Sequence, residues 1–330
     1  MPQHFVASPQ WEWYIVWYFF LGGLDGGAYL LGTILRLLGD ARDARVARLA
    51  FLVALPALAI CPMLLTPDLG RPLRFWHMLV DSRTLGLNFK YWSPMSVGVW
   101  ILVICPILLT LDLGRPLRFW HMMIDSRTFT LNFKYWSPMS VGVWVLRIFG
   151  IFALVSFLEA LAGLRGPQPS YLSGAFGRGF MIVGSFFGLF LAGYTGVLLS
   201  VSNQPIWSDT WALGALFLAS GLSVAAALLS LVMRLGRNEP SAEAKLTRAD
   251  RYFTILEIVA LVVFFVSLGA LGSRFLEPRW LTLWVVVLIG LLVPLALQFS
   301  PRRAPAMLAA VLTLLGGLAL RIVVVFGAQM

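Results

Sequence analysis

Long apolar runs separated by short basic stretches set the pattern of this chain. A helix needs roughly 20 residues to cross about 30 Å of hydrocarbon, and the runs reach that length. None shows the every-second-residue alternation of a barrel strand. They predict membrane-spanning helices over Trp13–Leu38, Arg48–Thr66, Ser93–Leu111, Trp136–Leu164, Phe180–Ser200, Trp211–Met233, Tyr252–Leu271, Trp280–Gln298 and Pro305–Phe326. Pro106 interrupts the third of these. The first run follows a short polar lead without a basic region or a small-residue cleavage site, so no cleavable leader is expected. Residues 1–330 read as one integral-membrane domain, with no soluble domain and no long linker.

A 44-residue block occurs twice in tandem, at 60–103 and 104–147, and differs at eight positions, among them Met63/Ile107, Pro67/Leu111 and Val103/Arg147. This block decides the span count. The first loop is basic (Arg36, Arg42, Arg45, Arg48), and so is Arg234–Arg251, whereas Val201–Thr210 has neither lysine nor arginine. Basic loops mark the cytoplasmic side, which sets the N-terminus outside. Eight spans satisfy all three loops. Nine spans, if both repeat copies cross, would put Arg234–Arg251 on the wrong side. The expected fold is therefore an all-α, polytopic transmembrane helix bundle of eight core spans (nine if both repeat copies cross). The copy ending at Arg147 runs on into a full-length span and is the better candidate for the working one.

Composition supports this and narrows the chemistry. The chain is 59% hydrophobic and 12% charged, with a mean hydropathy of +0.85, against about 45–50% apolar and 25% charged for soluble domains. The net charge of +10 sits in inter-span loops, where it suits an anionic lipid surface, not nucleic acid. Cys61 and Cys105 hold the same repeat position and cannot supply the four thiolates of an Fe–S cluster. The histidines are His4, His77 and His121, with no pair inside a span to ligate haem. No haem and no Fe–S centre is expected in this chain.

Polar residues inside apolar runs are the remaining signal. Asp25, in Gly22-Gly-Leu-Asp-Gly-Gly-Ala-Tyr29, lies about 18 Å along its helix from Trp13 at ~1.5 Å per residue. A carboxylate at that depth is costly and marks function by default, and the glycines around it permit close helix approach. Glu159 and Glu257 are further acids in or near spans, and Arg147 is a base. With Asp25 and with Glu12 at the outer boundary they are candidates for a proton path. Trp11 and Trp13 belong to an interfacial aromatic cluster.

Four features carry a family resemblance. They are Asp-Leu-Gly-Arg-Pro-Leu-Arg-Phe-Trp-His-Met at 112–122 and 68–78, Ser-Pro-Met-Ser-Val-Gly-Val-Trp at 137–144 and 93–100, Gly193-Tyr-Thr-Gly-Val-Leu-Leu199 with Pro205-Ile-Trp-Ser208, and the closing Leu320-Arg-Ile-Val-Val-Val-Phe-Gly-Ala-Gln329. Together with the glycine-rich first span, the chain resembles the NrfD/polysulfide-reductase membrane-subunit family over essentially its whole length. It departs from the family in carrying the central block twice.

The resemblance implies a subunit without a catalytic cofactor of its own, in the bacterial inner membrane. It implies an exchangeable menaquinone or ubiquinone, a ferredoxin-like Fe–S peripheral subunit docked outside, and a molybdopterin or other redox catalytic subunit beyond that, with proton transfer as a further consequence. A quinone headgroup needs hydrogen-bond partners, an apolar slot and a proton route. The residues expected to contact it are Tyr194, Thr195, His121 or its twin His77, and Trp13. Asp112, Arg115 and Arg118, with their equivalents Asp68, Arg71 and Arg74, are expected to knot the loop by ion pairs or to meet the docking partner. Two readings of other classes compete. One is a secondary transporter, against which the tandem single-span repeat speaks. The other is a structural anchor with no quinone site.

Overall fold

A computed structural model describes residues 11–65, 138–164, 172–202, 204–235, 240–298 and 303–329. Among them the regular structure is entirely helical. Eight long helices follow in order: α1 Trp13–Leu38, α2 Ala44–Leu65, α3 Pro138–Ala162, α4 Gly174–Ser200, α5 Leu213–Leu235, α6 Pro240–Leu268, α7 Pro278–Leu297 and α8 Arg303–Gly327. All eight are long and apolar enough to cross a membrane. The expected Ser93–Leu111 span lies outside the described residues.

Two ends of the bundle are defined by side chains that meet there. At the terminal end, the Trp11 backbone N–H donates to Gln329 Oε1 at 2.9 Å, and the Trp11 ring stacks on Trp207 at 4.8 Å. Trp207 in turn donates its indole N–H to the Val324 carbonyl at 2.8 Å. At the opposite, hairpin end, the short turn Ala41–Asp43 joins α1 to α2. There Lys245 of α6 bridges Asp40 at 2.8 Å and Asp43 at 2.5 Å.

The same end-markers orient α2 and α3. Arg36 at the close of α1 pairs with Glu159 near the close of α3 at 2.5 Å. Arg48 at the start of α2 donates to the Gly163 carbonyl just past α3 at 2.8 Å. So α2 and α3 pack antiparallel, and Leu65 and Pro138 both lie at the terminal end. The basic loop side is thus shared by the start of α2 and the close of α3. The basic turn after α1 and the basic start of α6 then share the hairpin end, as the loop charges require of eight spans.

The centre of the bundle is α1, packed against α2, α4, α5 and α8. Within a bilayer, helices associate through close packing more than through the hydrophobic effect, and the glycines of α1 supply that closeness. Residues four apart share a helix face, so Gly22 and Gly26 make one stripe and Gly23 and Gly27 the next. A Cβ at Gly26 would fall on the Gly188 carbonyl of α4. A Cβ at Gly27 would stand 2.8 Å from Ala225 Cβ of α5, and one at Gly221 of α5 would stand 2.7 Å from Gly23 Cα. The two stripes therefore carry α4 and α5 against α1. A third glycine contact, Gly290 with Gly316, closes α7 onto α8.

Two helices start six or more residues before their apolar runs. The fourth begins at Gly174 instead of Phe180, and the sixth at Pro240 instead of Tyr252. In both, the added turns are polar or glycine-rich. They extend a span past its hydrophobic stretch at the hairpin end, where water and headgroups tolerate charge.

Candidate functional site

The face of α1 that turns toward α2, α3 and α4 carries Tyr18, Gly22, Asp25 and Tyr29, spaced as neighbours on one side of a helix. Asp25 is fully buried. Its Oδ1 accepts from the Gly26 N–H, while Oδ2 has no hydrogen-bond partner among the described residues. A buried carboxylate oxygen without a partner is expensive and points to a proton, a ligand or a further group that completes it.

Groups from three other helices come together near Tyr18, above Asp25. Tyr18, a half-buried residue, lies within electrostatic range of Asp25, of Cys61 on α2 and of Tyr194 on α4. Cys61 Sγ approaches the Tyr18 carbonyl at 3.8 Å. Tyr194 is buried, stacked at 6.3 Å on Phe190, and a Cβ at Gly142 of α3 would fall on its ring. The glycine of the Ser-Pro-Met-Ser-Val-Gly-Val-Trp motif thus makes room for the tyrosine of the Gly-Tyr-Thr-Gly motif. Tyr18, Cys61, Gly142 and Tyr194 all lie within two turns of the terminal ends of their helices. Asp25 sits deeper, below them.

Below Asp25 the same face continues toward the hairpin end. Tyr29, fully buried, shares a hydrogen bond with Ser156 of α3 at 2.9 Å. Within electrostatic range of Tyr29 come Arg36 and Glu159, the ion pair that closes the α1–α3 contact. Tyr29 and Ser156, which did not stand out in the sequence, therefore lie along one face between Asp25 and Glu159, which did.

The other expected residues fall as follows. Thr195 is buried, but its hydroxyl donates to the Ala192 carbonyl of its own helix at 2.7 Å and its methyl faces Gly22. Trp13 stands on the rim of the terminal end, its ring edge-on to Phe326 at 5.0 Å. Glu12 is exposed just before α1, its carbonyl accepting from the Ile15 N–H. Arg147 lies on α3 with its guanidinium 5.4 Å from the Trp144 ring centre. Glu257 is not on this face. It belongs to a second polar cluster, between α5, α6 and α8, on the far side of the Gly23–Gly221 contact. His77, His121, Asp68, Arg71, Arg74, Asp112, Arg115 and Arg118 lie outside the described residues.

The second cluster holds Arg321, which the sequence reading quoted within a motif without giving it a role. A single arginine within the last apolar run was the available signal. Its side chain is fully buried and donates from Nε to the Phe19 carbonyl at 3.1 Å and from Nη1 to Ser220 Oγ at 2.9 Å and the Gly317 carbonyl at 2.8 Å. The guanidinium also lies 5.5 Å from the Phe20 ring centre and 5.3 Å from that of Phe217. Such contacts are favourable for a desolvated cation.

The pattern of the polysulphide reductase NrfD family matches this chain at residues 2–108 and again at 97–330. Each match contains one copy of the 44-residue block. Protein NrfD of Escherichia coli (strain K12) is 27% identical over 351 aligned positions, which cover 99% of this chain and 97% of that protein. The chain belongs to the NrfD polysulphide reductase family, membrane subunits of respiratory oxidoreductase complexes.

Proposed function

We propose that this chain binds a quinone, menaquinone or ubiquinone, between α1, α3 and α4 near the terminal end. The observation that carries the reading is Asp25 Oδ2, buried and without a partner among the described residues, beneath Tyr18 and Tyr194. A quinone supplies two-electron, two-proton redox chemistry on a lipid-soluble ring. The protein's part is to bind and orient that ring and to manage protons. Tyrosine hydroxyls donate to carbonyl oxygens, and a carboxyl group can hold or release a proton at the ring. Phe190 stacks on Tyr194 and gives an apolar wall, while Gly142 seats the tyrosine ring.

Protons exchanged at Asp25 have a route along its own face through Tyr29 and Ser156 to Glu159 at the hairpin end. Orientation follows from charge. Arg36, Arg42, Arg45, Arg48, Arg178, Arg234, Lys245, Arg248 and Arg251 all sit toward the hairpin end, and such residues favour the cytoplasmic side. The terminal end then faces outward from the bacterial inner membrane. A ferredoxin-like Fe–S subunit docked there takes or supplies the electrons, and a molybdopterin or other redox subunit completes the relay.

Titration of the purified complex with a short-chain quinol analogue tests the reading. Binding should weaken about tenfold in Tyr194→Phe, the loss of one hydrogen bond of ~1.4 kcal/mol. Wild-type affinity in Tyr18→Phe, Tyr194→Phe and Asp25→Asn alike would refute it and leave a structural anchor as the better account.

A further inference from the structure

The polar cluster on the far side of α1 has no part in the site just described. It runs through the bundle between α5, α6 and α8. On α6, Asp250, Thr254 and Glu257 share one face, and all three are buried. Facing them on α5 are Ser220 and Ser223, both fully buried. Ser220 and Ser223 lie near the Glu257 carboxyl, and Ser223 also lies near that of Asp250. Ser223 and Thr254 hydroxyls stand 3.4 Å apart. Arg321 closes one end of the file through Ser220. At the other end Gln298 donates from Nε2 to Asp250 Oδ2 at 2.6 Å, and Arg251 donates to the Gln298 carbonyl at 3.4 Å.

The two ends differ in access. Gln298 is half-exposed where α7 finishes, and Arg234 and Arg251 stand beside it at the hairpin end. Beyond Arg321, toward the terminal end, come Phe19, Leu216, Phe217, Val324 and Trp207, all buried and part of one apolar core. Toward the Asp25 face, the Gly23–Gly221 contact brings backbone against backbone. The file is open to one side and blind on the others.

Its charges do not balance as a static ion-pair network would. Two carboxyls share the file with one fully buried cation, Arg321, which lies within electrostatic range of Glu257. Arg234 is within range of Asp250 but is paired with Glu243 at 2.9 Å, and Arg251 is engaged with Gln298. Asp250 Oδ1 has no partner among the described residues. Burying an uncompensated carboxylate is costly, and binding a proton relieves that cost.

We propose that Asp250 and Glu257 form a proton-exchange site, separate from the quinone site and reached only from the hairpin end. A proton arriving at the hairpin end binds Asp250. Protonated Asp250 passes it to the Ser223 oxygen as Ser223 releases its own hydroxyl proton to Glu257, so one proton moves inward and the serine is restored. Loading Glu257 removes the counter-charge of Arg321, whose Nε holds the Phe19 carbonyl one residue from Tyr18. The site therefore senses proton supply on one side of the membrane and reports it to α1.

Infrared difference spectroscopy on the purified protein in lipid nanodiscs, taken between alkaline and acidic buffer, tests this without any activity measurement. A carboxylic C=O band should grow on acidification, shift when glutamate is 13C-labelled in the wild-type chain, disappear in Glu257→Gln and persist in Asp25→Asn. After a rapid pH jump, Ser223→Val should slow growth of the band about tenfold while leaving its final size unchanged. A glutamate band absent from the labelled wild type would overturn the site, since Glu257 would then stay ionised as a structural partner of Arg321. An unaltered rate in Ser223→Val would overturn the relay. Because neither readout involves quinone, the proposal and the quinone reading stand or fall separately.

Discussion

Gly142 of α3 lies directly against the ring of Tyr194 on α4, so closely that a methyl group at residue 142 would occupy the ring's own space. Two sequence motifs 52 residues apart, counted from 142 to 194, are thus two halves of one contact. Gly142→Ala should displace the tyrosine and cost about 1–3 kcal/mol of stability, the usual range for overpacking. Quinol oxidation by the assembled complex should fall at least tenfold. Tyr194→Phe keeps the ring and should leave the melting temperature within a few degrees of wild type while lowering turnover by a similar factor.

Asp25→Asn keeps the shape of the side chain and removes the charge. Because Oδ2 has no partner among the described residues, the neutral amide should leave stability equal or raise it. Turnover should drop about 100-fold, the lower end of what a positioned acid–base group contributes. Parallel thermal melts and stopped-flow quinol oxidation would separate the two effects. A variant that is destabilised yet turns over normally would show Asp25 to be structural.

The glycine seams make a graded prediction. Gly26→Ala and Gly221→Ala set a methyl group against backbone of the neighbouring helix and should each destabilise the bundle by about 2–3 kcal/mol. Gly150, on α3, has nothing within 4 Å of its Cβ position. Gly150→Ala should be neutral or slightly stabilising. Melting of the three variants in one detergent ranks them directly.

At the hairpin end, the Lys245 ammonium beside Asp40 holds that carboxyl below the usual carboxylate range. A depressed folded value stabilises the fold above the unfolded value of about 3.9. That contribution is lost as pH falls through the folded value. Melting temperatures measured from pH 6 down to pH 3 should converge for wild type and Asp40→Asn at the acid end. The difference between them should be largest near neutrality, and small, because the pair is exposed to solvent.

Much of this architecture was legible in the residues. The apolar runs locate six of the eight described long helices closely at both ends, and Asp25 stands out by depth alone. The loop charges favoured eight spans, and eight helices long and apolar enough to cross a membrane stand among the described residues. The starts of α4 and α6 were not legible, because glycine-rich and charged turns read as loop although a helix extending beyond lipid accepts them. Nor was the company each buried group keeps. Asp25 and Glu257 both read as acids within spans, but the neighbours of Asp25 depend on how α1 is rotated against four other helices, and those of Glu257 on how α6 meets α5. For α1, that rotation is fixed by adjacent glycine stripes, Gly22/Gly26 and Gly23/Gly27, whose partners at Gly188 and Gly221 are remote in sequence. The same rotation puts Tyr29 and Ser156 between Asp25 and Glu159.

Photolabelling with an azido-quinone, followed by peptide mapping of the purified complex, tests the proposed quinone site most directly. The structure predicts label on α1 between Tyr18 and Asp25 and on α4 around Tyr194, with labelling suppressed by excess quinol and reduced in Tyr194→Phe. Label confined to the α7–α8 face or to the Trp13 rim, or spread without competition by quinol, would contradict it.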